Sequence, residues 1–160
     1  MSCITQLLEL KGKEEYLFVH DSVVIEGGGV FKDYEYLIVF TSHGHRCGYV
    51  ALPSGIEFET DELQVHGGIT FEDEHHAAKD LLVVPCNDTW IGFDAAHCDD
   101  SSCYATARKV FGDQNGRYDL IEEITKPIRD YPGMTHKTYD YMENECKYLI
   151  DQLIESQNAA

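Results

Sequence analysis

A change of period along the chain constrains its fold more than any other feature. From Thr135 onward Tyr139, Met142, Cys146, Leu149, Ile150 and Leu153 recur at the i, i+3, i+4, i+7 spacing of a single helical face. A stripe of this kind must be buried against something. What precedes it reads as strands: Glu15–His20, Ser22–Glu26, Tyr36–Phe40, Cys47–Leu52, Gly68–Phe71, Leu81–Val84 and Thr89–Phe93 are short runs rich in β-branched and aromatic residues. Gly27-Gly28-Gly29 reads as a turn between two of these runs, and Pro53 ends another because it cannot continue a ladder.

Strands first and helices last is the order of an α+β domain. The expectation is a mainly antiparallel sheet of about seven strands with the C-terminal amphipathic helix packed on it. Thr135 is the expected N-cap of that helix, after Pro132-Gly133, and Leu120–Ile124 is read as a shorter helix stopped near Pro127. With 160 residues, 43% of them hydrophobic, the chain suits one core, so residues 1–160 are expected to form a single domain. The glycine runs are too short to be linkers.

Charge narrows the partners. Twelve Lys and Arg stand against 29 Asp and Glu, a net charge of −17. Such a surface repels a phosphate backbone, so polymeric nucleic acid is disfavoured, and an anionic small molecule would need a local cluster such as Arg46, Lys79 or Arg108 near its site. The N-terminal residues lack a basic start followed by an apolar run, and no stretch reaches the length of a membrane span. A cytoplasmic location without membrane contact is therefore expected, with the six cysteines as reduced thiols.

Three fragments concentrate groups that a core does not need: Ser42–Arg46, Val65–Thr70 and Trp90–Asp100. In the second, His66 is followed by Gly67 and Gly68, which allow positive φ and a backbone nest for an anion; the alternative is a tight turn. In the third, Asp94 capping a helical turn would orient His97 three residues on, an arrangement useful for acid/base work or for gripping a ligand; the alternative is an ordinary cap. His43 and His45 alternate as strand neighbours do, and with His66, Asp94 and His97 they form a candidate N/O metal set, against which stands a polar turn. Glu72–His76 is read as a solvated loop. Ser42 lacks a nucleophile elbow, and Cys98 next to His97 gives thin support for nucleophilic catalysis.

At these residues the chain resembles a family of small bacteriophage proteins marked by a Tyr-Val-x-x-Pro strand, a Val-His-Gly-Gly-Ile/Leu-Thr motif and a Trp-Ile-Gly-Phe-Asp-x-Ala-His-x-x-Asp motif. The matching residues are Gly48–Pro53, Val65–Thr70 and Trp90–Asp100, about a third of the chain. The resemblance implies a phage origin and, by analogy with counter-defence proteins, sequestration of a nucleotide-derived immune signal of the cyclic nucleotide or cyclic ADP-ribose type. On that reading His66, Gly67, Gly68, Trp90, Asp94, His97 and Asp100 line the pocket, no cofactor or metal is needed, and the C-terminal helix is a candidate homo-oligomer contact. The alternative is a hydrolase, with or without a metal, acting on a similar phosphorylated molecule. A third is an interaction protein that blocks a host factor through its acidic face.

Overall fold

The computed structural model describes residues 3–17, 21–53, 58–77, 89–97, 99–129 and 132–159. Among these residues six strands form one antiparallel sheet: β1 (Glu14–Leu17), β2 (Asp21–Phe31), β3 (Tyr34–Thr41), β4 (Arg46–Leu52), β5 (Phe71–Ala77) and β6 (Thr89–Asp94), in the order β1-β2-β3-β4-β6-β5. Four helices among the described residues accompany it: α1 (Cys3–Leu8), α2 (Tyr104–Phe111), α3 (Arg117–Arg129) and α4 (Tyr139–Asn158), with a 3-10 turn at Thr60–Glu62. The α+β class and the C-terminal helix on the sheet are as expected.

The strand count is not. Leu81–Val84 lies outside the described residues, and Gly27–Gly29 is no turn: it runs inside β2, whose register against β3 shifts between Ile25 and Gly27. The glycines serve close approach. A Cβ on Gly27 would stand 2.4 Å from the Tyr139 hydroxyl, so this position lets α4 lie against the strand. The real turn is Lys32-Asp33, where φ is 49° and 69°, the paired positive values of a two-residue type I′ hairpin. Backbone of Glu72–His76, expected as a loop, belongs to β5.

Strand alternation splits the core between the two faces. On one, Tyr36, Ile38, Val50, Ile91 and Phe93 meet Met142, Cys146, Leu149, Ile150 and Leu153 of α4. Those five helix residues are fully buried, and each contributes roughly 1.5–3 kcal/mol for the larger apolar side chains. On the other face Val23, Ile25, Leu37, Val39, Tyr49 and Trp90 are covered by Cys3, Ile4 and Leu7 of α1. Near the end of the sheet Val24 and Phe40 pack with Ala107 of α2 and Tyr118 of α3, and the Tyr118 hydroxyl donates to the Ser42 carbonyl at 2.9 Å.

Two helix boundaries differ from expectation. α4 is capped by Thr138, whose hydroxyl accepts the Tyr141 N–H at 3.2 Å. Thr135 cannot cap because its backbone is engaged in a parallel bridge: its N–H donates to Asp99 and its carbonyl accepts from Ser101, both at 2.9 Å. α3 runs through Pro127 to Arg129 rather than stopping before it. The proline sits in the last turn, where residues 126–128 are exposed and water can satisfy the carbonyl it frees.

Cys3 is disulfide-bonded, which corrects the expectation of six reduced thiols, while Cys47, Cys103 and Cys146 remain thiols. No helix among the described residues is long and apolar enough to cross a membrane.

Candidate functional site

The site is assembled on one face of α4. Three side chains of that helix, Tyr141, Glu145 and Gln152, project beside its apolar stripe and hold the loop that carries His66. Gln152 accepts the Gln64 N–H at 2.7 Å, Glu145 accepts the His66 N–H at 3.0 Å, and the Tyr141 hydroxyl lies 2.8 Å from His66 Nδ1. The loop then turns. Gly68 N–H donates to the Val65 carbonyl at 2.9 Å, and with φ of 70° only at Gly67 among the two central residues this is the pattern of a type II turn. The anion nest expected at His66-Gly67-Gly68 is thus largely closed, since the N–H groups of His66 and Gly68 are already engaged.

A second loop arrives from the end of β6. Its bridge to Thr135 brings Asp100 against the start of α4, where the side chain is 1% exposed. Asp100 Oδ2 lies 2.7 Å from His66 Nε2 and accepts the His97 N–H at 3.0 Å. Lys137 Nζ stands 3.1 Å from Oδ1, an ion-pair distance poorly aimed for a hydrogen bond. Burial pushes the Asp100 carboxyl up, but the bonds from His66 and the His97 backbone, with the nearby Lys137 ammonium, outweigh it and hold it below the usual carboxylate value. Asp100 is therefore ionised and can only accept.

This fixes the imidazole. Nε2 of His66 carries the proton given to Asp100, so in the neutral ring Nδ1 is bare and accepts from Tyr141. Burial, then the negative charges of Glu145 and Asp100, raise the Tyr141 hydroxyl above its ordinary value, so it remains a protonated donor. Exposure is graded along the chain of bonds: 1% at the Asp100 side chain, 15% at the His66 side chain and 36% at Tyr141.

The local pair behaves differently. Asp94 ends β6 rather than capping a helical turn; its Oδ1 accepts the Ala96 N–H at 3.1 Å and its Oδ2 accepts the Thr70 hydroxyl at 2.8 Å. His97 Nε2 is 3.4 Å from Oδ1 without hydrogen-bond alignment and has no hydrogen-bond partner among the described residues. The carboxylate that orients an imidazole exists, but it joins Asp100 to His66, 34 residues away, and not Asp94 to His97. Gly67 ties the two regions together: a Cβ there would stand 2.0 Å from His97 Nε2, whereas one on Gly68 would meet nothing within 4 Å.

Of the residues expected to line a pocket, His66, Gly67, Asp94, His97 and Asp100 converge, with the His66 and His97 rings 6.0 Å apart and Gly68 next to them. Trp90 does not join them. It is fully buried in the core cluster on the opposite face of the sheet from α4, with its indole N–H unpaired among the described residues. His43 and His45 lie in the β3–β4 hairpin with their rings 6.3 Å apart, and no three metal-binding side chains among the described residues come together, so the five-residue metal set is not formed. The cationic cluster that an anionic ligand would need is not formed by Arg46 and Arg108. Arg46 is spent on Glu26, His136 and the Lys137 carbonyl, and Arg108 on Asp119 and Glu122, while Lys79 and Cys98 lie outside the described residues.

Sequence reading missed Lys137, Tyr141 and Glu145. The signal was available: Tyr141, Glu145 and Gln152 follow i, i+4, i+11, a polar row parallel to the apolar stripe. No family model, curated protein or solved structure matches the chain.

Proposed function

We propose that the chain binds a small nucleotide-derived signalling molecule at the edge formed by His66, Gly67, His97 and Tyr141, and that it sequesters that molecule as a phage counter-defence protein. The observation that carries the reading is the gathering of three rings on a buried carboxylate. The His66 ring is 6.0 Å from His97 and 5.4 Å, edge-on, from Tyr141, and Asp100 holds His66 in a single tautomer. Ring faces with a few fixed polar atoms suit a base and its sugar better than an extended polyanion. The motif resemblance supplies the ligand class and the phage setting. With Trp90 in the core, the stacking surface is Tyr141 and the two histidines.

A hydrolase of a similar phosphorylated ligand is the second reading, favoured by the Asp100–His66–Tyr141 chain of hydrogen bonds. One experiment separates the two. The protein is incubated with a panel of cyclic nucleotides and cyclic ADP-ribose isomers, filtered, heat-denatured, and the supernatant analysed. Depletion followed by release of intact ligand is the expected result. Release of altered ligand identifies the hydrolase, and no depletion of any compound removes the small-molecule reading.

A further inference from the structure

Among the contacts that close loops onto α4, one arrangement is more specialised than loop closure requires. A nucleophilic hydroxyl activated by a base, with the base oriented by a third group, is recognised by its geometry: hydroxyl and base within hydrogen-bond reach, and an anion on the far nitrogen of the base. Tyr141 Oη to His66 Nδ1 at 2.8 Å and His66 Nε2 to Asp100 Oδ2 at 2.7 Å meet both conditions. The three residues come from three separate parts of the chain, and Tyr141 is the most exposed of them.

We propose that Tyr141 is a nucleophile, with His66 as its general base and Asp100 as the positioning residue, and that its electrophile is the phosphorus of a phosphate ester. In the step, the Oη–H bond breaks and the proton passes to His66 Nδ1 as Oη bonds phosphorus. The bond from phosphorus to the departing oxygen breaks, that oxygen keeps the electron pair, and it takes the proton back from His66. Asp100 stabilises the transient imidazolium without taking its proton. No oxidant or reductant is needed. Water then cleaves the aryl phosphate ester.

Tyr148 supplies the internal control. It lies on the same helix and is 47% exposed against 36% for Tyr141. Burial and neighbouring carboxylates raise the Tyr141 hydroxyl above its ordinary value, so without base assistance it would be the slower of the two. Base assistance reverses that order.

The proposal deepens the hydrolase reading above and is the alternative to sequestration of an intact ligand; it takes from that reading only the phosphorus electrophile, and its test needs no ligand. The full chain is treated with diisopropyl fluorophosphate, which bonds to Oη as fluoride leaves, and adducts are located by intact mass and peptide mapping. The expected result is one adduct at Tyr141, formed at least tenfold faster than at Tyr148. His66→Ala should lower the Tyr141 rate at least tenfold and leave Tyr148, which reports an intact α4, unchanged. Asp100→Asn should slow labelling at Tyr141 and again leave Tyr148 unchanged, because the imidazolium formed in the step loses its anion. Equal labelling of the two tyrosines, or labelling of Tyr148 first, overturns the proposal. Labelling at Tyr141 in a protein that depletes no nucleotide would overturn the binding reading and leave this one standing.

Discussion

Two Asp–His pairs among the described residues, Asp94–His97 and Asp100–His66, are built on opposite principles. Asp94 and His97 are neighbours in sequence, partly exposed, and 3.4 Å apart without a hydrogen bond between their side chains. Asp100 and His66 are 34 residues apart, the first buried and the second half-buried, and joined at 2.7 Å, with further contacts from the His97 backbone, Lys137 and Tyr141. The local pair costs the fold little and gives it little. The distant pair pins two loops and the start of α4 together, and it fixes the protonation of everything it touches.

Removing the two carboxylates is the strongest way to break this comparison. Asp100→Ala takes the counter-ion from the half-buried Lys137 ammonium, which keeps its bonds to Thr135, and leaves the His97 N–H and His66 without their acceptor; loss of bonds to a buried charged group of this kind costs about 3 kcal/mol. Asp94→Ala loses bonds from Thr70 and Ala96 at a quarter-exposed side chain, a cost of about 1 kcal/mol. Urea unfolding of both variants measures the difference. Equal costs would mean that the two pairs do the same structural work.

The glycines sharpen the comparison next. Gly67 and Gly68 share a left-handed backbone, φ 70° and 81°, so alanine at either position costs roughly 1 kcal/mol. Only at Gly67 does the new Cβ also strike the His97 ring. Gly67→Ala is expected to be the more damaging of the two by at least another ~1 kcal/mol, in line with the cost of overpacking. Thermal melts of the two variants, with His97 followed by NMR, check both the stability and the displaced ring.

Acid titration probes the distant pair without mutation. The Asp100 carboxyl is held below its ordinary value in the folded chain, so its contribution is complete above the ordinary carboxylate range and is lost as pH falls through the lower folded value. Unfolding midpoints measured from pH 6 down to pH 2 should fall, and Asp100→Asn should flatten part of that fall. Glu143, also held below its ordinary value by the Tyr36 and Tyr139 hydroxyls and by Lys147 against the burial that raises it, contributes in the same direction and remains in the variant.

The contrast between the pairs also explains which parts of this molecule are legible in its sequence. The α4 stripe is legible to the residue because helical period and burial coincide: all five of Met142, Cys146, Leu149, Ile150 and Leu153 are buried. The apolar runs mark most of the strands for the same reason. Gly27–Gly29 misleads because a glycine that admits a neighbouring Tyr139 looks in sequence like one that makes a turn. In the site, His66 and Asp100 can be named as members, but their partnership cannot, since a bridge between Asp100 and Thr135 is what sets it and no local spacing encodes that bridge. Asp94 and His97 draw the pairing instead because i, i+3 spacing is visible and a 34-residue separation is not.

His97 carries the smallest expected effect and bears most directly on function. Its ring is 36% exposed, its Nε2 has no hydrogen-bond partner among the described residues, and its contribution to the Asp100 network comes from the backbone N–H, which alanine retains. His97→Ala is therefore expected to change stability by no more than about 0.5–1 kcal/mol, the range of a surface substitution that breaks no buried bond. His66→Ala, by contrast, removes the link between Asp100 and Tyr141 and should cost about 2 kcal/mol or more, as loss of bonds to a charged group does. If His97→Ala keeps its melting temperature and yet no longer depletes any nucleotide that the wild type depletes, the imidazole is there for the ligand. If instead it unfolds as readily as His66→Ala, the exposed ring is part of the scaffold, the difference between the two pairs disappears, and the ligand edge shrinks to His66, Gly67 and Tyr141.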